Sequence, residues 1–163
     1  MPRSAHRPPQ LRRGPFRARD AIAAGLLTPD QLRCAAWRRL GRGVYIDAEL
    51  AVTPLVRIRA AGLWLPVEAV ITGRSAAQVW GVDLADPDSI VEALSSRRIR
   101  PMPGLVVRTA HIALDEVTLH RGIRLTTPLH TAWEIARALP ATAAIGWIDA
   151  LARRRRLSRR ELR

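Results

Sequence analysis

The rhythm of hydrophobic and polar positions changes several times along this chain. Residues 1–14, MPRSAHRPPQLRRG, show little apolar periodicity and read as a flexible basic arm. Arg17–Ala24 predicts a short helix closed by Gly25, which tolerates the left-handed turn after a helix. Thr28-Pro29-Asp30-Gln31 then predicts a second helix: Thr28 caps, Pro29 takes the first helical position and Gln31 completes a capping box. This helix is expected to reach Arg39 or Leu40. On its wheel Leu32, Ala36 and Leu40 share one face, while Asp30, Gln31, Cys34 and Arg38 point the other way. Gly41-Arg42-Gly43 breaks it, and Val44-Tyr45-Ile46 predicts a short strand. Helix, tight turn, basic helix and strand is the order of a small winged helix-turn-helix over residues 15–47. Its second helix would enter the major groove and Arg42–Tyr45 would form the wing.

The remainder predicts a mixed domain over residues 53–152. A helix from about Pro54 to Leu65 ends at Pro66, and Val70-Ile71-Thr72 is a short strand. Ser75–Trp80 predicts a helix stopped by Gly81. Ser89–Leu94 and Gly104–Thr109 read as strands joined by a connection holding Arg97, Arg98, Arg100, Pro101 and Pro103, a solvated hairpin tip before a contact with phosphate or an acidic partner. Glu116–Leu119 and Ile123–Thr126 predict a hairpin around Arg121-Gly122. Thr127-Pro128 opens a helix to about Leu139, and another runs from about Thr142 to Arg154. A basic tail, 153–163, follows, in which Ser158 can cap a last turn. The class is α+β.

Composition narrows the chemistry. All 27 basic residues are arginine, against 14 acidic ones, for a formal charge of +13. Without lysine there is no lysine-bearing phosphate loop and no Schiff-base catalysis. A single cysteine, Cys34, excludes an internal disulfide framework and a cysteine-based zinc site. The longest uncharged apolar runs, 60–67 and 138–148, fall short of the roughly 18 residues a membrane span needs. A cytoplasmic protein is expected. Charge is also clustered: residues 1–46 hold ten arginines and two acids, a net of +8. Such a block attracts polyanions.

Candidate chemistry therefore centres on nucleic acid. Gln31 and Arg38 have the side chains suited to bidentate readout of adenine and guanine. Arg12, Arg13, Arg17, Arg19, Arg33, Arg39 and Arg42 would hold phosphates. The alternative is a plain amphipathic helix. His6, His111, His120 and His130 lack the spacing of a zinc pair. Asp83, Asp86 and Asp88 read as turn chemistry before magnesium ligands. Trp64, Trp80, Trp133 and Trp147 fall in helical stretches and are expected in the core. Arg153–Arg156 is either a helix end suited to the dipole or a second phosphate patch. No metal, cofactor or enzymatic motif is expected.

Several short stretches resemble AbiEi-type antitoxins, one half of type IV toxin–antitoxin pairs. They are Gly14-Pro15-Phe16-Arg17, Ala23–Thr28, Gln31-Leu32-Arg33 and Gly43-Val44-Tyr45, then Ile71–Ala77 with Trp80-Gly81, Gly104–Val107, Gly122–Pro128 and Thr131-Ala132. The resemblance covers about residues 14–152. It implies a non-catalytic, DNA-binding regulator that represses its own promoter and offsets a nucleotidyltransferase-like toxin, direct contact not being implied. The front half is also similar to actinobacterial proteins that continue into a Vsr-like endonuclease domain. This alternative makes the chain the front of such a protein without its catalytic part.

Overall fold

The computed structural model describes residues 6–84, 89–100 and 102–155, the last residue by its backbone alone. The chain divides into two compact units, Met1–Trp64 and Leu65–Arg163. Both helices and sheets are present, and the α+β class holds.

In the first unit, β1 (Phe16–Arg17), β2 (Trp37–Gly41) and β3 (Val44–Asp47) form an antiparallel sheet in the order β1-β3-β2. Helix α1 (Ala18–Ala23) follows β1 and ends as the sequence suggests. Gly25 has a φ of +67°, and its N–H donates to the Ile22 carbonyl at 2.9 Å. Leu26 N–H donates to the Ala21 carbonyl at 2.9 Å, so the last turn is satisfied.

The expected helix from Thr28 to Arg39 or Leu40 does not form. The capping box is made: Thr28 N–H donates to Gln31 Oε1 at 2.8 Å, and Gln31 N–H donates to Thr28 Oγ1 at 3.2 Å. Yet only a single 3-10 turn follows, Gln31–Arg33, and Trp37 opens β2. The physical reason is Trp37. On a continuous helix it would lie roughly 140° from Leu32, away from the apolar face, at about 100° per residue. On the strand it is buried with Leu11, Ala21, Leu27, Leu32 and Ala36, its ring meeting Phe16 edge-on at 5.2 Å. Burying a tryptophan removes about 150–250 Å² from water, on the order of 4–6 kcal/mol at 25 cal/mol per Å². Helix propensity offers at most about 0.7 kcal/mol per residue in return.

Two further expectations are corrected in this unit. Within the predicted basic arm 1–14, Pro8 and Leu11 are buried while His6, Pro9, Gln10, Arg12 and Arg13 are exposed. Pro9–Leu11 form a 3-10 turn and Leu11 enters the core, while residues 1–5 lie outside those described. Helix α2 (Pro54–Trp64), expected to open the second domain, instead lies on the first sheet, in contact with β1, β2 and β3. Its buried residues are Ile58, Ala60 and Ala61.

The second unit holds a five-stranded mixed sheet made of β4 (Ala69–Ile71), β5 (Val91–Ser95), β6 (Leu105–Thr109), β7 (Val117–His120) and β8 (Ile123–Thr126). Its order is β6-β5-β4-β8-β7. The β7–β8 hairpin turns on Arg121 (φ 51°) and Gly122 (φ 76°), as its sequence asks. β5 and β6, however, pair in parallel, so their arginine-bearing connection is a crossover and not a hairpin tip. Helices α3 (Gly73–Val79), α4 (Pro128–Ala138) and α5 (Ala141–Arg155) pack on one another. Thr127 caps α4, its Oγ1 accepting from His130 N–H at 3.4 Å.

Val70, Ile71, Leu94, Leu125, Ile135 and Leu151 are fully buried. Trp80 is buried and donates through Nε1 to the Thr126 carbonyl at 3.0 Å. Trp133 departs from expectation: it is 54% exposed. Trp64 and Trp147 are half-buried. Of the predicted tail 153–163, Arg153–Arg155 belong to α5; Arg156, Ser158 and the rest lie outside the described residues. So do Asp86 and Asp88, whereas Asp83 is exposed.

Candidate nucleic-acid interface

The first unit contains twelve arginines and four acids, Asp20, Asp30, Asp47 and Glu49, a net of +8. Strand alternation divides its arginines between the two faces of the small sheet. Arg17 donates through Nε to the Leu63 carbonyl of α2, and Arg17 pairs with Val44. Arg38 pairs with Ile46, two positions along from Val44, and so lies on the same, α2-bearing face. There Arg38 Nη2 donates to the Leu50 carbonyl at 2.6 Å.

Arg39 lies opposite Tyr45, on the other face, and its Nε donates to the Gly41 carbonyl at 3.1 Å. A register shift between Arg39 and Gly41 bends the strand before the turn at Arg42-Gly43, where both residues are exposed. On this second face Asp47, 2% exposed, is held by Arg7 Nη1 at 3.4 Å and Arg12 Nε at 3.8 Å. Arg7 also contacts Glu49. Arg33 pairs with Asp30 at 3.0 Å, and Arg19 with Asp20 at 3.3 Å, both at the surface. Arg13 is exposed.

The structure therefore does not bring Gln31 and Arg38 onto one helix face. Gln31 sits half-buried on the 3-10 turn with its Oε1 engaged by Thr28, while Arg38 sits on β2 and braces Leu50. Arg12, Arg13, Arg19, Arg33, Arg38, Arg39 and Arg42 are all exposed. Arg17 is half-buried and ties β1 to α2.

The second unit holds a different charge arrangement. Gly73, with φ +55°, opens α3 beneath the Glu92 carboxylate. Arg74 N–H donates to Glu92 Oε2 at 2.8 Å, Arg74 Nε donates to Glu92 Oε1 at 2.7 Å, and Ser75 Oγ accepts from Glu92 N–H at 3.0 Å. On α4, Glu134 is 2% exposed. It is contacted by Arg108, by Arg137 Nη2 at 3.5 Å and by His130 Nε2 at 3.8 Å. Burial holds the Arg108 guanidinium below its ordinary pKa, and Arg137 beside it adds to the effect, with Glu92 partly opposing. Among the described residues no group of histidines, cysteines and carboxylates is arranged to hold a metal ion. None of the described helices is long and apolar enough to cross a membrane.

The family model of the AbiEi antitoxin C-terminal domain matches residues 68–163, more than half of the chain. The chain belongs to the AbiEi antitoxin family. No curated protein and no solved structure matches it. The AbiEi domain begins one residue before β4 and takes in the whole five-stranded sheet with α3, α4 and α5. It also contains the Gly73–Glu92 and Arg108–Glu134 contacts, neither of which the sequence signalled, because each joins residues 19 or more positions apart. Gly73 within Thr72-Gly73-Arg74-Ser75 was the one available hint, since glycine opening a helix marks an unusual φ.

Proposed function

We propose that this AbiEi-family chain is a DNA-binding transcriptional regulator, without catalysis, that represses its own operon in the cytoplasm and offsets a nucleotidyltransferase-like toxin, with no direct contact required. The observation that carries the DNA-binding reading is the concentration of exposed arginine on the first unit, whose net charge is +8. Arginine–phosphate contacts displace condensed counterions, which gives such a surface its affinity for duplex DNA.

With the second helix reduced to one turn, the contact surface consists of that turn, the β2–β3 hairpin, α1 and the N-terminal segment. Arg12, Arg13, Arg19, Arg33, Arg39 and Arg42 contact phosphates and set the register of the protein on the duplex. Arg17 supports them from within by fastening β1 to α2. Gln31 and Arg38 reach base edges by exchanging their bonds to Thr28 and Leu50 for bonds to DNA. A reporter driven by the chain's own promoter tests this reading. Co-expression of the protein represses it, and Arg39→Ala with Arg42→Ala relieves the repression. Unchanged repression by that double variant, or none by the parent protein, overturns the proposal.

A further inference from the structure

Helix α4 carries an exposed surface distinct from the arginines of the first unit. Leu129, Trp133 and Arg137 follow at i, i+4 and i+8, so they run along one side of the helix. They are 44%, 54% and 50% exposed. Trp133 is held in place there. The Arg137 guanidinium lies 5.0 Å from its ring centroid, and the His130 ring lies 5.2 Å away. His130 is in turn anchored by Glu116 at 3.1 Å through Nδ1. A half-exposed ring already fixed by its neighbours loses little freedom on binding. Tryptophan and arginine are also the side chains that most often dominate protein–protein contacts.

Charge indicates what covers the stripe. Arg108 and Arg137 share the single carboxylate of Glu134, Arg108 at Oε2 and Arg137 at Oε1. Glu92 also attracts Arg108 but is itself held by Arg74, so three arginines meet two carboxylates at the C-terminal end of the stripe. A further carboxylate there would offset what burial, with Arg137 adding to it, does to the Arg108 guanidinium, which is held below its ordinary pKa. Glu116 occupies the opposite end, beside His130. An apolar Leu129 next to Trp133, with a carboxylate at one end, suits a peptide better than a phosphate chain.

We propose that Leu129, Trp133 and Arg137 form a docking site for an acidic, apolar protein segment. An apolar side chain of that segment covers Leu129 and Trp133, and a carboxylate of it reaches Arg137 and Arg108. The proposal goes beyond the DNA reading and uses none of its residues.

The test uses the full chain and a labelled helical peptide with leucine and phenylalanine along one face and glutamates beside them. Controls are a scrambled peptide of the same composition and single-stranded oligo-dT. The patterned peptide binds more tightly than the scrambled one. Trp133→Ala and Arg137→Ala each weaken it by about tenfold or more, the size of a dominant interface contact. Leu129→Glu, at an exposed position, does the same by charge, and Arg42→Ala leaves binding unchanged. Equal binding of both peptides, or no effect of these α4 variants, overturns the proposal. It is also overturned if oligo-dT displaces the peptide and its own binding falls with Trp133→Ala, since the stripe would then belong to nucleic acid.

Discussion

Thr28 and Gln31 cap each other: the side-chain oxygen of each accepts the backbone N–H of the other, at 3.2 and 2.8 Å. The pair fixes the one turn that carries Arg33 and delivers Leu32 to the core. Gln31→Ala should cost about 1 kcal/mol, the usual size of a lost cap. It should lower the thermal midpoint and also lower the ratio of promoter to scrambled-duplex affinity, because Gln31 both caps the turn and reads a base. A lowered midpoint with an unchanged ratio would leave Gln31 as a cap alone and contradict its base-reading role.

A second prediction concerns Gly73. A Cβ at this position would stand 2.1 Å from Glu92 Oε2, and its φ of +55° is unfavourable for any side chain. Gly73→Ala should therefore destabilise the AbiEi domain by roughly 1–3 kcal/mol, the cost of a non-glycine residue in a left-handed conformation with added crowding. Thermal unfolding followed by circular dichroism reads it. A variant as stable as the parent would contradict both the left-handed strain at Gly73 and the crowding against Glu92.

The third prediction is on the buried carboxylate. Arg108→Ala leaves Glu134, 2% exposed, without its nearest cation. Breaking a buried pair from one side is more costly than losing a surface pair. With Arg108 itself 41% exposed, the expected loss is reduced by solvent screening to about 1–3 kcal/mol. Glu134→Gln in the Arg108→Ala background should recover part of it, because the uncompensated charge is gone. Additive losses in the two single variants would contradict this coupling.

Arg42 and Arg38 separate two roles. Arg42, exposed at the hairpin turn, should act on phosphates alone: Arg42→Ala weakens every duplex alike and lowers the salt slope by about one. Arg38 braces Leu50, so Arg38→Ala also loosens the segment entering α2 and lowers the thermal midpoint. Direct titration on promoter and random duplexes, beside a melting curve, distinguishes them.

What the chain revealed in advance was local. Gly25, Arg121-Gly122 and Thr127-Pro128 state their turns and caps in two or three neighbouring residues, and α1, the β7–β8 hairpin and α4 formed where those signals stood. What stayed hidden was decided at a distance. Trp37 overrode a correctly read capping box, because Phe16 and Leu11 were waiting to bury it. The parallel pairing of β5 with β6 depends on which edge is free in the folded sheet, and nothing in 96–104 encodes it. Leu11 gave a proline-rich arm a place in the core that its composition concealed. The candidate site was legible as a basic block, but its distribution over two sheet faces followed from the strand that replaced the helix.

The central claim is that the first unit reads the chain's own promoter. The most direct test is binding of the full chain to that promoter and to a scrambled duplex across a salt series. Tighter promoter binding that persists near a physiological salt concentration of about 150 mM is the predicted result, since specific contacts survive when counterion release weakens. Equal affinity for both duplexes, collapsing together as salt rises, would contradict it and leave the arginines as a general polyanion surface.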